Sequence, residues 1–187
     1  MNTISQRRPS NNLLLVWKGA LAILWGIMAL IFAGSNQGLL ILSFGLLNLL
    51  ACGFTLVHIL QNQHLKIAHQ WLVMEGLIES VAAVVFLFFA SSTAQFLEYL
   101  CYGILFVVIL QFIYGFYLVQ ANILNMKNLV ARFISLLAGC VIAVGIFGNF
   151  INGQEAFIVI GIFSIIFGLL NIQFAYKLRN IIFGKTK

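Results

Sequence analysis

Long apolar runs separated by short polar breaks organise this chain. Dividing the sequence at the breaks predicts six spans of about 20 to 24 residues: 13–33, 39–60, 71–90, 96–119, 129–150 and 156–176. At ~1.5 Å per residue, each can cross the ~30 Å hydrocarbon core of a bilayer as a tilted α-helix. The pattern therefore predicts an all-α polytopic membrane protein, with a transmembrane domain over 13–177, an N-terminal tail (1–12) and a basic C-terminal tail (178–187).

Composition supports lipid as the solvent. Hydrophobic residues make up 63% of the chain and charged residues 7%, whereas about a quarter of an ordinary soluble domain is charged. The net charge of +6 is spread between the apolar runs rather than gathered on one stripe, so we expect no nucleic-acid partner. Cys52, Cys101 and Cys140 lie inside apolar runs without metal-ligand spacing. We therefore expect no disulfide, metal or cofactor.

The basic residues also predict an orientation. Lysines and arginines precede or begin span 1, lie between spans 2 and 3 and between spans 4 and 5, and follow span 6, whereas the loops 34–38, 91–95 and 151–155 carry none. By the positive-inside rule, both termini are expected in the cytoplasm, with the protein in a bacterial inner membrane. The apolar stretch of span 1 exceeds a signal-peptide core, so we expect it to remain uncleaved.

An internal repeat predicts three helical hairpins. Trp17-Lys18-Gly19 of span 1 corresponds, 57 residues later, to Met74-Glu75-Gly76 of span 3, and Ala138-Gly139 of span 5 is a weaker copy. The even spans repeat a glycine followed five residues later by a polar side chain, at His58, Gln120 and Gln173; the identical segments 45–48 and 168–171 favour another register. Parallel copies of this kind predict three-fold pseudosymmetry about the membrane normal.

Small residues are the expected helix contacts, because lipid provides no hydrophobic force between helices and close packing must supply the attraction. The predicted crossing points are Gly19, Gly26, Gly76, Gly139 and Gly145.

Span 3 contains two carboxylates that are unusual for a membrane helix. At ~1.5 Å per residue from Trp71, Glu75 lies about 6 Å and Glu79 about 12 Å into the span. Their i, i+4 spacing places both on one face, and a charge at that depth must be paired, wetted or protonated. Lys18, at the repeat-equivalent depth, is the expected partner of Glu75, with Arg132 the other candidate. We expect a protonated Glu79, hydrogen-bonded to Ser80, Asn48, Asn171 or a carbonyl.

Each of these residues also has a structural interpretation. Lys18 and Arg132 could snorkel to the cytoplasmic surface, and Glu75 could belong to a purely structural ion pair. The remaining polar residues of the spans are candidate helix contacts rather than ligands: Asn48, His58, Gln111, Gln120, Asn171 and Gln173. The histidines near the second cytoplasmic loop lack zinc-motif spacing. No phosphate-binding loop, nucleophile elbow or paired-histidine motif occurs, so the sequence favours a protein without enzymatic activity.

The segment from Trp17 to Leu30, with its glycine and alanine spacing, resembles the opening repeat of the HdeD-like bacterial membrane proteins. Residues 75–79, Gly139 with its following apolar run, and residues 161–168 are similar to later copies, so the resemblance covers about residues 13 to 177. It implies a six-helix inner-membrane protein associated with acid resistance. It supplies no catalytic residues, and this chain has Gly34-Ser35-Asn36 where a proline often follows the first helix.

Three functions remain open at the level of the sequence. The first is a contribution to acid or envelope stress tolerance through proton-sensitive carboxylates in the membrane. The second is a small-solute or ion transporter or channel with a pathway between the hairpins. The third is a structural or lipid-binding scaffold. The bilayer is the expected partner in all three, and a second copy of the chain or another membrane protein is a candidate partner.

Overall fold

The computed structural model describes residues 11–61, 66–120, 126–151 and 153–184, and over these residues it consists of helices and their connections, without strands. The prediction of an all-α fold is confirmed for this part of the chain. The helices are α1 (Asn11–Phe32), α2 (Gln37–Gln61), α3 (Lys66–Val84), α4 (Thr93–Gln120), α5 (Met126–Phe147) and α6 (Gly153–Gly184), with a π-helical turn, Val85–Phe89, directly after α3.

The helices follow the predicted spans, with differences at the ends. α5 ends at Phe147 because Asn149 adopts a left-handed conformation (φ 56°), a common helix termination. α6 continues to Gly184, so the last helix includes residues 178–184 of the predicted C-terminal tail. Hydropathy predicted an end near 176 because the sequence becomes basic there, but lysine and arginine are good helix formers and do not stop a helix.

Side-chain caps fix the beginning of two even-numbered helices. Asn36 Oδ1 accepts a hydrogen bond from the Leu39 backbone N–H at 3.0 Å and so caps α2. Ser92 Oγ accepts one from the Gln95 N–H at 3.3 Å, and Gln95 Oε1 accepts one from the Ser91 N–H at 3.1 Å. This reciprocal arrangement resembles a capping box at the start of α4. The polar breaks of the sequence therefore act as turn and cap signals.

Among the residues that the structure describes, two segments are long and apolar enough to cross a bilayer, Gln37–Leu60 in α2 and Gly153–Gln173 in α6. Shorter apolar segments lie in α1 (Val16–Phe32) and α5 (Leu136–Phe147). Many large apolar side chains also point outward, Phe88 at 76% exposure and Val141 at 71% among them. Such an exterior is unusual for a protein surrounded by water and is compatible with membrane association.

The most extensive helix interface joins the first and last helices, α1 and α6. Two glycine pairs bring the antiparallel backbones together: a Cβ added to Gly19 would lie 2.6 Å from the Gly168 carbonyl oxygen, and one added to Gly26 would lie 2.6 Å from the Gly161 carbonyl oxygen. Ser164 Oγ also donates a hydrogen bond across the interface to the Ala22 carbonyl at 2.8 Å. Close glycine packing therefore holds this pair together, as predicted for Gly19 and Gly26.

The other predicted glycine contacts divide into two kinds. A Cβ at Gly76 would lie 3.4 Å from Thr55 of α2, and one at Gly139 would lie 3.3 Å from Phe163 of α6, so both lie at helix contacts. The prediction for Gly145 is wrong, because its nearest neighbour is Ile151, in the connection that follows the same helix.

The predicted hairpins are not the closest-packed units. After α1 with α6, the most extensive interfaces are α2 with α3 and α4 with α5. Each joins the second helix of one predicted hairpin to the first helix of the next, in a cycle that α6 and α1 close. α3 meets α4 mainly through the π-helical turn, and α5 packs only sparsely on α6. The most extensive contacts therefore lie between the predicted hairpins rather than within them.

The main core lies where α1, α3 and α5 end and α2, α4 and α6 begin. Trp25 is buried there and its Nε1 donates a hydrogen bond to the Leu40 carbonyl at 3.2 Å. Phe96, fully buried, stacks on Phe157 with ring centroids 5.3 Å apart. The first turns of α4 and α6 thus each contribute a buried aromatic side chain to one cluster. The polar site described next lies toward the other end of α1 and α2.

Candidate functional site: a buried lysine between two glutamates

Lys18 of α1 lies between both carboxylates of α3. Its Nζ is 2.9 Å from Glu75 Oε1 and 2.6 Å from Glu79 Oε1. The Nζ atom is fully withdrawn from the surface, and the side chains of Lys18, Glu75 and Glu79 are 11%, 27% and 14% exposed. We call these three residues the triad. The predicted Lys18–Glu75 contact is confirmed, and snorkelling of Lys18 to the surface is not what the structure shows.

Helix geometry explains why one lysine reaches two glutamates. Glu75 and Glu79 are four residues apart in α3, so they lie one above the other on the same face, about 6 Å apart along the axis. Lys18 lies about two turns into α1. Its long side chain bridges the space between two helices that are not closely packed on each other. The triad is thus a side-chain link between the α1/α6 pair and the α2/α3 pair.

The second helix adds Thr55 and His58 to this site. Thr55 Oγ1 lies 2.6 Å from Glu79 Oε2 and 2.9 Å from the carbonyl oxygen of Ala51, one turn earlier in α2. His58 is buried and lies within electrostatic reach of Lys18 and Glu75. Because Gly76 has no side chain, α3 approaches Thr55 closely on this face. Three helices therefore contribute polar groups to one site.

A second polar contact lies next to the triad on the same interface. Ser80 Oγ donates to the Gly76 carbonyl at 2.8 Å and lies 2.9 Å from Cys52 Sγ. The thiol of Cys52 also donates to the Gly76 carbonyl oxygen, with Sγ 3.7 Å from that oxygen. Either atom could donate in the contact between Cys52 and Ser80. Ser80, expected as a partner of Glu79, is therefore engaged with Cys52 and α3.

The charges of the triad do not cancel when both glutamates are ionised. One ammonium then faces two carboxylates, which leaves one negative charge in a mostly buried site. Burying an uncompensated charge costs several kcal/mol. A further positive charge or a bound proton would compensate the excess negative charge. One bound proton makes the triad neutral. The triad can therefore bind one proton without acquiring a net charge.

The remaining predicted residues lie elsewhere. Asn48 Nδ2 donates at 2.8 Å to the Phe44 carbonyl of its own helix, so its prediction as an interhelical contact and as a partner of Glu79 is wrong. Asn171 is half-buried and Gln173 is exposed, both on α6, and Glu79 binds Lys18 and Thr55 instead of Asn171. The side chains of Arg132, Gln111 and Gln120 lie outside the described part of the structure.

Sequence reasoning missed Thr55 as a partner of Glu79. The available signal was its position on α2 three residues before His58, which places both side chains on one face. Threonine carries no charge and is common in membrane helices, so nothing in its type singled it out. It becomes a candidate only once Gly76 is known to pack against α2.

Within the ranges that the structure describes, no group of three or more histidine, cysteine, aspartate or glutamate side chains is arranged to hold a metal ion. No protein-family model matches the chain, and comparisons with curated proteins and with solved structures gave no match either.

Proposed function

We propose that this chain is a six-span bacterial inner-membrane protein, similar to the HdeD-like proteins, that contributes to acid or envelope stress tolerance without enzymatic activity. The observation that carries the proposal is the triad: Lys18 within 2.9 Å of Glu75 and 2.6 Å of Glu79 in a largely buried site. Ionisable groups inside a membrane domain are costly and generally mark a function. In this proposal, binding of a proton by the triad couples the packing of α1 and α3 to the pH.

The six-span topology is supported by two apolar helices of spanning length and by the outward-facing apolar side chains of the others. The α3 helix carries two glutamates within its apolar sequence. Their pairing with Lys18 offsets much of that cost. An embedded α3 is therefore compatible with its charges.

The proposed topology predicts the side of each chain end. Single cysteines placed at residue 3 and residue 186, in a background lacking Cys52, Cys101 and Cys140, should resist a membrane-impermeant maleimide in intact spheroplasts and react after lysis. A cysteine at Ser35 or Ser92, in the two capped connections, should react before lysis. Ends labelled on opposite sides would contradict an even number of spans.

The proposed function predicts an acid-sensitive phenotype that depends on the triad. A strain lacking the gene should lose viability during acid challenge, and the wild-type gene should restore it, whereas Glu75→Gln should not. Glu75 is the more exposed glutamate of the triad, and a glutamine in its place cannot take up a proton in acid. Glu98→Gln, an exposed carboxylate on α4, is the matched control and should restore survival. Normal survival of the deletion strain would refute the function, provided that immunoblots show the protein in the parent.

The same variants separate this function from the two others. A pH-dependent flux in proteoliposomes that Glu79→Gln abolishes would establish transport rather than stress tolerance without transport. Full complementation by both Glu75→Gln and Glu79→Gln would leave a scaffold as the remaining function.

A further inference from the structure

The hydrogen atoms available at Thr55 do not suffice for its two close oxygen contacts. A threonine hydroxyl has one hydrogen to donate and lone pairs to accept with. Thr55 Oγ1 lies 2.9 Å from the Ala51 carbonyl oxygen and 2.6 Å from Glu79 Oε2. Neither a carbonyl nor an ionised carboxylate can donate. One of the two oxygen pairs therefore lacks a hydrogen if Glu79 is ionised.

A proton on Glu79 completes both contacts. Threonine hydroxyls in helices commonly donate to the carbonyl four residues earlier, which here is Ala51. A protonated Glu79 then donates from Oε2 to Thr55 Oγ1, and the hydrogen bonds run in one direction from Glu79 through Thr55 to Ala51.

The charge balance of the site and the burial of Glu79 also favour a proton on the Glu79 carboxyl. Lys18 from α1, Glu75 from α3 and His58 from α2 are the described charged or titratable groups that face the site together with Glu79. With His58 neutral and one proton bound, the site has no net charge. Glu79 is the less exposed of the two glutamates, 14% against 27%, so its neutral form avoids the larger desolvation cost.

We propose that Glu79 carries a proton on Oε2 at neutral pH and that Lys18 and Glu75 form the remaining ion pair. Thr55 is the positioning residue, because its hydroxyl oxygen accepts the hydrogen bond from the protonated carboxyl. This inference rests on the proposed function in one respect, because it names the atom at which the triad binds its proton. Because Glu79 is already protonated at neutral pH, its protonation changes only when the pH rises and the proton is lost. Acid then acts on the Lys18–Glu75 pair.

The composition of the chain makes the proton directly observable. The four acidic residues are all glutamates, at positions 75, 79, 98 and 155. Protein labelled with ¹³C at the glutamate side-chain carboxyl and reconstituted in vesicles should show one protonated and three ionised carboxyl groups near neutral pH, by NMR and by the infrared carbonyl stretch. The protonated signal should vanish in Glu79→Gln and remain in His58→Gln and in Glu98→Gln, which replaces an exposed carboxylate on α4.

Thr55 variants test the positioning role. Thr55→Val, which keeps the shape and removes the hydroxyl, should shift the protonated carbonyl stretch to higher frequency because its hydrogen bond is lost, and Thr55→Ser should restore it. A thermal transition for each variant shows whether it folds. If no carboxyl is protonated at neutral pH, if the protonated signal is kept in Glu79→Gln, or if Thr55→Val leaves the carbonyl stretch unchanged, the inference is wrong.

These results are independent of the stress phenotype. A protonated Glu79 in a protein whose Glu75→Gln variant still restores acid survival would refute the proposed function and leave the proton assignment standing. An ionised Glu79 in a protein that needs Glu75 for survival would do the reverse.

Discussion

Replacing Gly168 with alanine is expected to separate α1 from α6 and to destabilise the protein by about 3 kcal/mol, the upper end for overpacking a close contact. The added Cβ would lie 2.5 Å from the carbonyl oxygen of Gly19 and 2.7 Å from Ile23. The carbonyl belongs to a helix backbone and cannot move aside as a side-chain end could. The measurement is the unfolding transition in mixed detergent micelles, followed by circular dichroism during SDS titration.

The chain contains matched controls for this substitution. Gly53 and Gly103 also lie in helices, but no atom lies within 4 Å of a Cβ added at either position. Gly53→Ala and Gly103→Ala should be neutral or stabilising by up to about 1 kcal/mol, because alanine has the higher helix propensity. An equal loss of stability for Gly168→Ala and Gly103→Ala would mean that the α1/α6 glycine contact is not what holds these helices together.

The number and place of the helices could be predicted from the sequence because two strong signals agree. Continuous apolar runs of about 20 residues are too long for typical strands and favour helices, and the breaks between them contain real caps, Asn36 and Ser92. The heptad spacing of Gly19 with Gly26, and of Gly161 with Gly168, also anticipates close packing. Which helix meets which could not be predicted, because each glycine pattern marks a face without naming its partner.

The π-helical turn after α3 is a second feature that could not be predicted from the sequence. Ala90 donates its backbone N–H to the Val85 carbonyl, five residues earlier, and Leu87 of this turn packs against Gly45 of α2. A π turn differs from an α turn by one residue in register, which a continuous apolar sequence such as 81–90 cannot reveal. The turn depends on the fit to α2, a tertiary contact.

The candidate site was half predictable for a related reason. The repeat placed Lys18 and Glu75 at equivalent depths, and a buried carboxylate demands a cation, so their pairing could be predicted. The sharing of Lys18 with Glu79 requires the lateral position of α1, which the sequence does not contain. The Asn48 side chain donates to the Phe44 carbonyl of its own helix instead of to another helix. This local contact is available to asparagine in a helix and competes with interhelical hydrogen bonds.

The triad and the glycine pairs act on the same helix, α1. Glycine contacts hold α1 on α6 through short-range packing, whereas Lys18 links it to α3 through charge. The packing contact has no titratable group, so pH leaves it unchanged, while the charge contact weakens when a carboxylate is neutralised. Acid would therefore loosen α1 from α3 and leave α1 with α6.

Lys18→Met is expected to destabilise the protein by about 3 to 5 kcal/mol, the range for removing one member of a buried ion pair. Methionine fills a similar volume, so the loss measures the missing charge rather than a cavity. The carboxylates of Glu75 and Glu79 would remain near each other without a cation. The same SDS titration gives the magnitude, and Lys187→Met controls for the loss of one positive charge from the chain.

Second substitutions then identify which glutamate carries the charge that Lys18 balances. If Glu79 is protonated, Glu75 is the charge left behind, and Lys18→Met with Glu75→Gln should recover most of the lost stability, whereas Lys18→Met with Glu79→Gln should recover little. Equal recovery in the two double variants would indicate that both carboxylates are ionised. An unchanged transition in Lys18→Met itself would mean that the charges of the triad are already screened by water, which would remove the physical basis for a proton-sensitive contact between α1 and α3.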